Sequence, residues 1–163
     1  MKLERLFEGK ENSLYTVNGE SVKISGSAVN AADFIKQPAV SQKEALRISV
    51  NWTLSGLDEE NYNEDFLASL RDSLKALEEK NTFAIIEPVC DSACETEAQK
   101  DAFIQSMKHC ARRIKDCTSV IGFKIPGEVN AALFTEELSA KHGHYVFFST
   151  DEKVLEDSST VRL

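Results

Sequence analysis

Between residues 46 and 149, short apolar runs of strand length alternate with amphipathic runs of helix length, and this alternation restricts the chain more than any single motif does. Strands joined through helices must run parallel, and the crossovers between them are right-handed, so the chain is read as α/β with a parallel sheet. Leu46, Ile48, Val50 and Trp52 share one face of the first such strand, while Arg47, Ser49 and Asn51 share the other. Phe66, Leu70, Leu74 and Leu77 then recur at helical spacing from Asn63, a good N-cap, to Asn81. Residues 82–87 are a short apolar run closed by Pro88, suited to a strand covered on both faces. The next helix opens on the capping box Thr96-x-x-Gln99, carries Phe103, Met107, Cys110 and Ile114 along one stripe, and ends near Asp116. Residues 119–125 form another apolar strand, followed by Pro126-Gly127, a helix around Leu133, Phe134 and Leu138 that stops at Gly143, and a last strand over 144–149.

The two ends of the chain read differently. Asn18-Gly19 lies between two β-rich stretches, over 14–24, and predicts a hairpin, since the turn between paired strands needs two residues that accept positive φ. Between Gly26 and Leu46 the chain is too short for a full crossover helix, although a short one fits at 30–36. Residues 150–163 are polar and acidic with no period, so the expected organisation is a single domain over 1–149 and a polar C-terminal tail.

Charge and cysteine usage narrow the partners. A net charge of −8 with no basic stripe argues against nucleic acid and anionic membrane surfaces. The charged start, Met1-Lys2-Leu3-Glu4-Arg5-Leu6, lacks a signal-peptide apolar segment, and no run is long enough to span a bilayer, so the sequence as it stands reads as cytoplasmic. The four cysteines, Cys90, Cys94, Cys110 and Cys117, match no zinc pattern of paired C-x2-C knuckles, and no metal or cofactor is expected; in a reducing compartment all four stay thiols. His142 and His144 flank a helix end, where the dipole would favour the protonated ring, and His109 falls on the solvent side of its helix.

Parallel sheets place their sites at the carboxyl ends of the strands, here residues 51–54, 87–91, 126–130 and 149–151. Taken in order, these segments resemble the first half of a clan-A glycoside hydrolase barrel, especially family 5, the cellulases, mannanases and glucosidases. Val17-Asn18-Gly19 through Ile24-Ser25-Gly26 is similar to that family's opening hairpin and first strand, and Arg47-Ile48-Ser49-Val50-Asn51-Trp52 to its second, where an arginine faces the lumen. Asp58-Glu59-Glu60-Asn61-Tyr62-Asn63-Glu64 resembles the loop into helix two, and Ile121 to Asn130 the fourth strand, which in the family ends in Asn-Glu-Pro with the glutamate as general acid/base. Glu128 falls on that glutamate, but Gly127 replaces the asparagine, Val129 the proline, and Val89 a histidine after strand three.

The resemblance implies a partial, half TIM barrel of about five β/α units preceded by the hairpin, with Glu128 as acid/base and Arg47, Asn51, Trp52, Glu87 and Asn130 as substrate-binding residues. A complete barrel takes about 250 residues, and a retaining glycosidase needs a second carboxylate as nucleophile, which the family draws from strand seven. No segment here matches it. The expectation is therefore a glycosidase-like domain that binds carbohydrate or serves as a protein-interaction scaffold without hydrolysing. Two alternatives are an O-glycosidase formed when a second copy or a partner completes the barrel, and a thiol or metal protein using Cys90 and Cys94. For single residues the plainer alternatives are a surface glutamate for Glu128, a structural ion pair for Arg47, and core packing for Trp52, whose face it shares with Leu46, Ile48 and Val50.

Overall fold

The computed structural model describes residues 3–163, and the charged start Met1-Lys2 lies outside the described residues. Six parallel strands form one sheet: β3 (Lys23–Asn30), β4 (Glu44–Asn51), β5 (Ala84–Val89), β6 (Val120–Lys124), β7 (Val146–Ser149) and β8 (Val161–Arg162). Their order in the sheet is their order in the chain. Every crossover therefore advances in the same direction, and with one handedness this places all the helices on one face and curls the sheet into a half barrel. Those helices are α1 (Ala31–Lys36), α2 (Trp52–Ser55), α3 (Glu64–Glu78), α4 (Glu97–Arg113) and α5 (Ala131–Ser139).

Local chemistry sets the helix starts. Asn30, Asn63, Thr96 and Asn130 each accept a backbone N–H of the first turn, and Thr96 and Gln99 complete the reciprocal capping box. The strand residues Ile48, Val50, Ala84, Ile86 and Phe123 pack outward against Leu67, Leu70, Leu74, Phe103, Met107 and Phe134 of the helices, forming the larger core. β5 continues through Pro88 rather than ending before it. Pairing with β6 has finished at Ile86 and Phe123, so the missing proline N–H need not break a bond on that side.

The concave face has its own core: Ala45, Ile85, Ile121, Val146, Phe148 and Val161, near the starts of most strands, meet Phe7 and Leu14 of an N-terminal hairpin. That hairpin pairs β1 (Phe7–Lys10) with β2 (Ser13–Thr16) in antiparallel register. Its turn is Glu11-Asn12, with φ of 53° and 61°, and not Asn18-Gly19. The Asn-Gly turn does form, but it closes only a Tyr15–Ser21 bridge, because after Ser21 the chain departs to pair with β4 as the first parallel strand. Residues 150–163, read from sequence as a tail, carry a 3-10 turn (Val154–Glu156) and β8, which pairs with β7. No helix of the described residues is long and apolar enough to cross a membrane.

Candidate functional site at the strand ends

Strand alternation decides what the upper concave face presents. Above the apolar floor, β4 turns Arg47, Ser49 and Asn51 inward and β5 turns Glu87 inward beside Ser49. Arg47 grips Glu87 with two parallel bonds, Nε to Oε2 at 2.5 Å and Nη2 to Oε1 at 3.1 Å, and its Nη1 reaches the Ser25 carbonyl at 3.5 Å. The side chains are 19% and 8% exposed, so the pair is largely withdrawn from water. The hydrogen bond to Glu87 holds the Arg47 guanidinium above its ordinary pKa, against the opposing effect of burial.

One layer higher, Asn30 Nδ2 donates to Asn51 Oδ1 at 3.2 Å, joining the ends of β3 and β4. Asp91 lies just beyond β5. Asp91 accepts the Thr53 backbone N–H at 2.9 Å and the Thr53 hydroxyl, thereby capping the short helix α2. Burial pushes the Asp91 carboxyl up, but hydrogen bonding, chiefly from Thr53, outweighs this and leaves it below the usual aspartate value. Lys124 is half-buried and stands opposite Phe148 of the concave core, which places it on the inner face; its ammonium has no side-chain partner among the described residues. At the ends of β6 and β7 a cavity of about 380 Å³ is lined by Ile125, Pro126, Asn130, Ser149, Asp151 and Lys153, among others.

Of the sequence-predicted residues, the structure brings Arg47, Asn51 and Glu87 together and leaves the others apart. Glu128 is exposed on the turn after β6 and makes no hydrogen bond among the described residues. Asn130 caps α5 by accepting the Leu133 N–H at 2.9 Å. Trp52 is 3% exposed; it packs 5.1 Å from Phe103, and its Nε1 donates to the Leu57 carbonyl, so it offers no platform to a sugar ring. Asn30, Thr53, Asp91 and Lys124 were not singled out from sequence. Asp91 and Thr53 fall within the strand-end windows, and that position was the available signal.

The histidines depart from expectation. His109 does not face solvent: it stacks on Tyr62 at 4.3 Å and bonds Glu64 at 2.6 Å, because the loop before α3 folds over α4. This loop borders a groove of about 600 Å³ on the outer helical face, away from the strand ends. Burial lowers the pKa of both His142 and His144, against the protonated state expected from a helix end. No group of three or more His, Cys, Asp or Glu that could hold a metal ion is found among the described residues.

No family model matches the chain, and no curated protein matches it.

Proposed function

We propose that the chain binds a carbohydrate at the carboxyl ends of β3 to β6 and does not hydrolyse it. The observation that carries this reading is a set of three polar pairs at the strand ends, Asn30–Asn51 and Asp91–Thr53 lying beyond Arg47–Glu87 along the strands. It is a fixed set of planar donors and acceptors at the end of a parallel sheet where ligands of such folds bind, and sugar hydroxyls need both kinds of partner. Hydrolysis requires two carboxylates free to move protons or attack carbon across the scissile bond. Here Glu87 has both oxygens on Arg47, Asp91 has both on Thr53, and Glu128 stands alone on an exposed turn.

The test is an NMR titration of the labelled chain with soluble gluco- and manno-oligosaccharides, alongside an assay with aryl glycosides. Expected are shifts confined to residues 30, 47–53, 87–91 and 124–130, affinity reduced about tenfold in Asn51→Ala, equal to about 1.4 kcal/mol, and no turnover. Absence of shifts at millimolar sugar would overturn the reading. Turnover abolished by Glu128→Gln would replace it with the enzymatic one.

The exposed outer edge of β3, over residues 26–29, favours a second reading, in which another copy completes the barrel and Glu128 serves as acid/base. Against it, the hairpin already fills the floor of the concave face, β3 is irregular between Ile24 and Ala28, and the opposite edge strand β8 has two residues. Irregular and very short edges discourage strand addition. Light scattering at micromolar concentration is expected to give the monomer mass of 18.1 kDa. Twice that mass would revive composite-barrel catalysis.

A further inference from the structure

We propose, resting on the carbohydrate reading above, that Lys124 makes the strand-end site select an acidic sugar, a uronate whose carboxylate pairs with the lysine ammonium. The other cations of the chain set this lysine apart. Arg47, Arg71, Lys75, Lys100, Lys108 and Arg113 are half-buried, and each holds a carboxylate of this chain. Lys124 is half-buried and holds none, whereas every other unpaired lysine or arginine among the described residues is exposed to water. Withdrawing an ammonium from water without a countercharge is unfavourable, so a ligand that brings one binds best there.

Strand parity and register place the lysine. Phe123 and Ile125, its two chain neighbours, both pack in the helix-facing core, so Lys124 between them turns to the concave side. It stands opposite Phe148 of β7 and one residue past the Ile86–Phe123 rung, which sets it beside Glu87 of β5. Glu87 has both oxygens on Arg47 and leaves the lysine uncompensated. Asp91 is drawn toward β4 by Thr53. Asn51 is two strands away from Lys124 and two residues further along, since Ser49 pairs with Glu87. At about 4.8 Å per strand and about 3.3 Å per residue, the two Cα atoms are about 12 Å apart, a gap that the two side chains and one pyranose ring fill together.

A neutral sugar satisfies the asparagines but gives the ammonium only another hydroxyl. A uronate differs at C6 alone, where a carboxylate replaces the hydroxymethyl group and supplies both the countercharge and a charge-assisted hydrogen bond. The chain as a whole carries −8, so the long-range field opposes an anionic ligand. The preference therefore comes from close contact at Lys124 and is held to about tenfold, one hydrogen-bonded charge pair at a half-buried position.

The experiment is an NMR titration of the labelled full chain with cello-oligosaccharides and with the same oligosaccharides oxidised at C6 to glucuronates. Expected is about tenfold tighter binding of the oxidised series at low salt, with shifts at Lys124 as well as at residues 30 and 47–53. Lys124→Gln should bring the ratio of the two affinities to about one, and Lys124→Arg should keep the oxidised series ahead. Acetate at the same concentration should shift none of these signals. Lys124→Met should unfold in urea at the same or a higher midpoint, since it keeps the stem and removes a charge that the chain does not compensate. Equal affinities for the two series would overturn the acidic preference and leave the carbohydrate site standing, whereas binding of neither would overturn both. A ratio unchanged in Lys124→Gln, equal shifts with acetate, or a clear loss of stability in Lys124→Met would each overturn the role of the lysine.

Discussion

Arg47→Ala is expected to cost about 3 to 5 kcal/mol of unfolding free energy, the range for removing one partner of a buried ion pair. The size follows from what is left behind. Glu87 is 6% exposed, and both its oxygens are bonded to the one guanidinium, so truncating Arg47 leaves a buried carboxylate that has lost both of these bonds. Arg47→Lys should recover only part of the loss, because an ammonium presents a point charge where the carboxylate is held by a two-pronged planar group. Replacing both residues, as Arg47→Met with Glu87→Leu, should cost within about 1 kcal/mol of the unaltered chain, since the desolvation of two charges disappears together with their attraction. Urea unfolding of the four proteins measures this. If Arg47→Ala and the double variant are equally destabilised, the arginine acts by packing its stem rather than by compensating Glu87.

The same pair shows where sequence reasoning reaches and where it stops. Period-two alternation put Arg47, Ser49 and Asn51 on the face opposite Ile48, Val50 and Trp52, and the strand has that parity. Parity cannot, however, name a partner on another strand. That Glu87 lies beside Ser49, in reach of Arg47, depends on the register between β4 and β5, which neither strand encodes by itself. The Asp91–Thr53 bonds were hidden for a related reason: Asp91 caps a helix begun 39 residues earlier in the chain (Trp52 to Asp91), whereas the cap rules read from sequence look for local partners. Trp52 was open between platform and core until the short helix α2 turned its ring toward Phe103.

The long elements were legible because each buries a periodic face. The short ones were not. β8 has two residues, too few to show any period, and is held by what surrounds it: Val161 meets the concave core, and Arg162 bonds Glu152. The Asn-Gly turn was a sound local signal, but the strand that follows it finds a longer parallel partner in β4, and the tertiary pairing prevails over the local one.

Asn12→Ala is expected to destabilise by about 3 to 4 kcal/mol, because this turn residue ties the two ends of the chain together. Its Nδ2 donates to the carbonyls of Leu155 at 2.9 Å, Asp157 at 3.0 Å and Thr160 at 2.7 Å, its backbone N–H donates to Ser158, and its carbonyl accepts from Arg162. The two amide hydrogens are shared among the three carbonyls, so loss of the side-chain bonds should account for about 2 kcal/mol, and a φ of 61°, which asparagine tolerates better than alanine, adds about 1 to 2 kcal/mol. Asn12→Gly separates the two contributions, since glycine accepts the positive φ but makes no side-chain bond, and should lie between the unaltered chain and Asn12→Ala. Because those carbonyls belong to the segment that delivers β8, amide exchange at Val161 and Leu163 should accelerate in both variants while exchange in β4 and β5 follows global stability alone. If the C-terminal amides stay as protected as those of β4 when Asn12 is replaced, β8 is held by Val161 and the concave core, and the asparagine clamp is incidental to it.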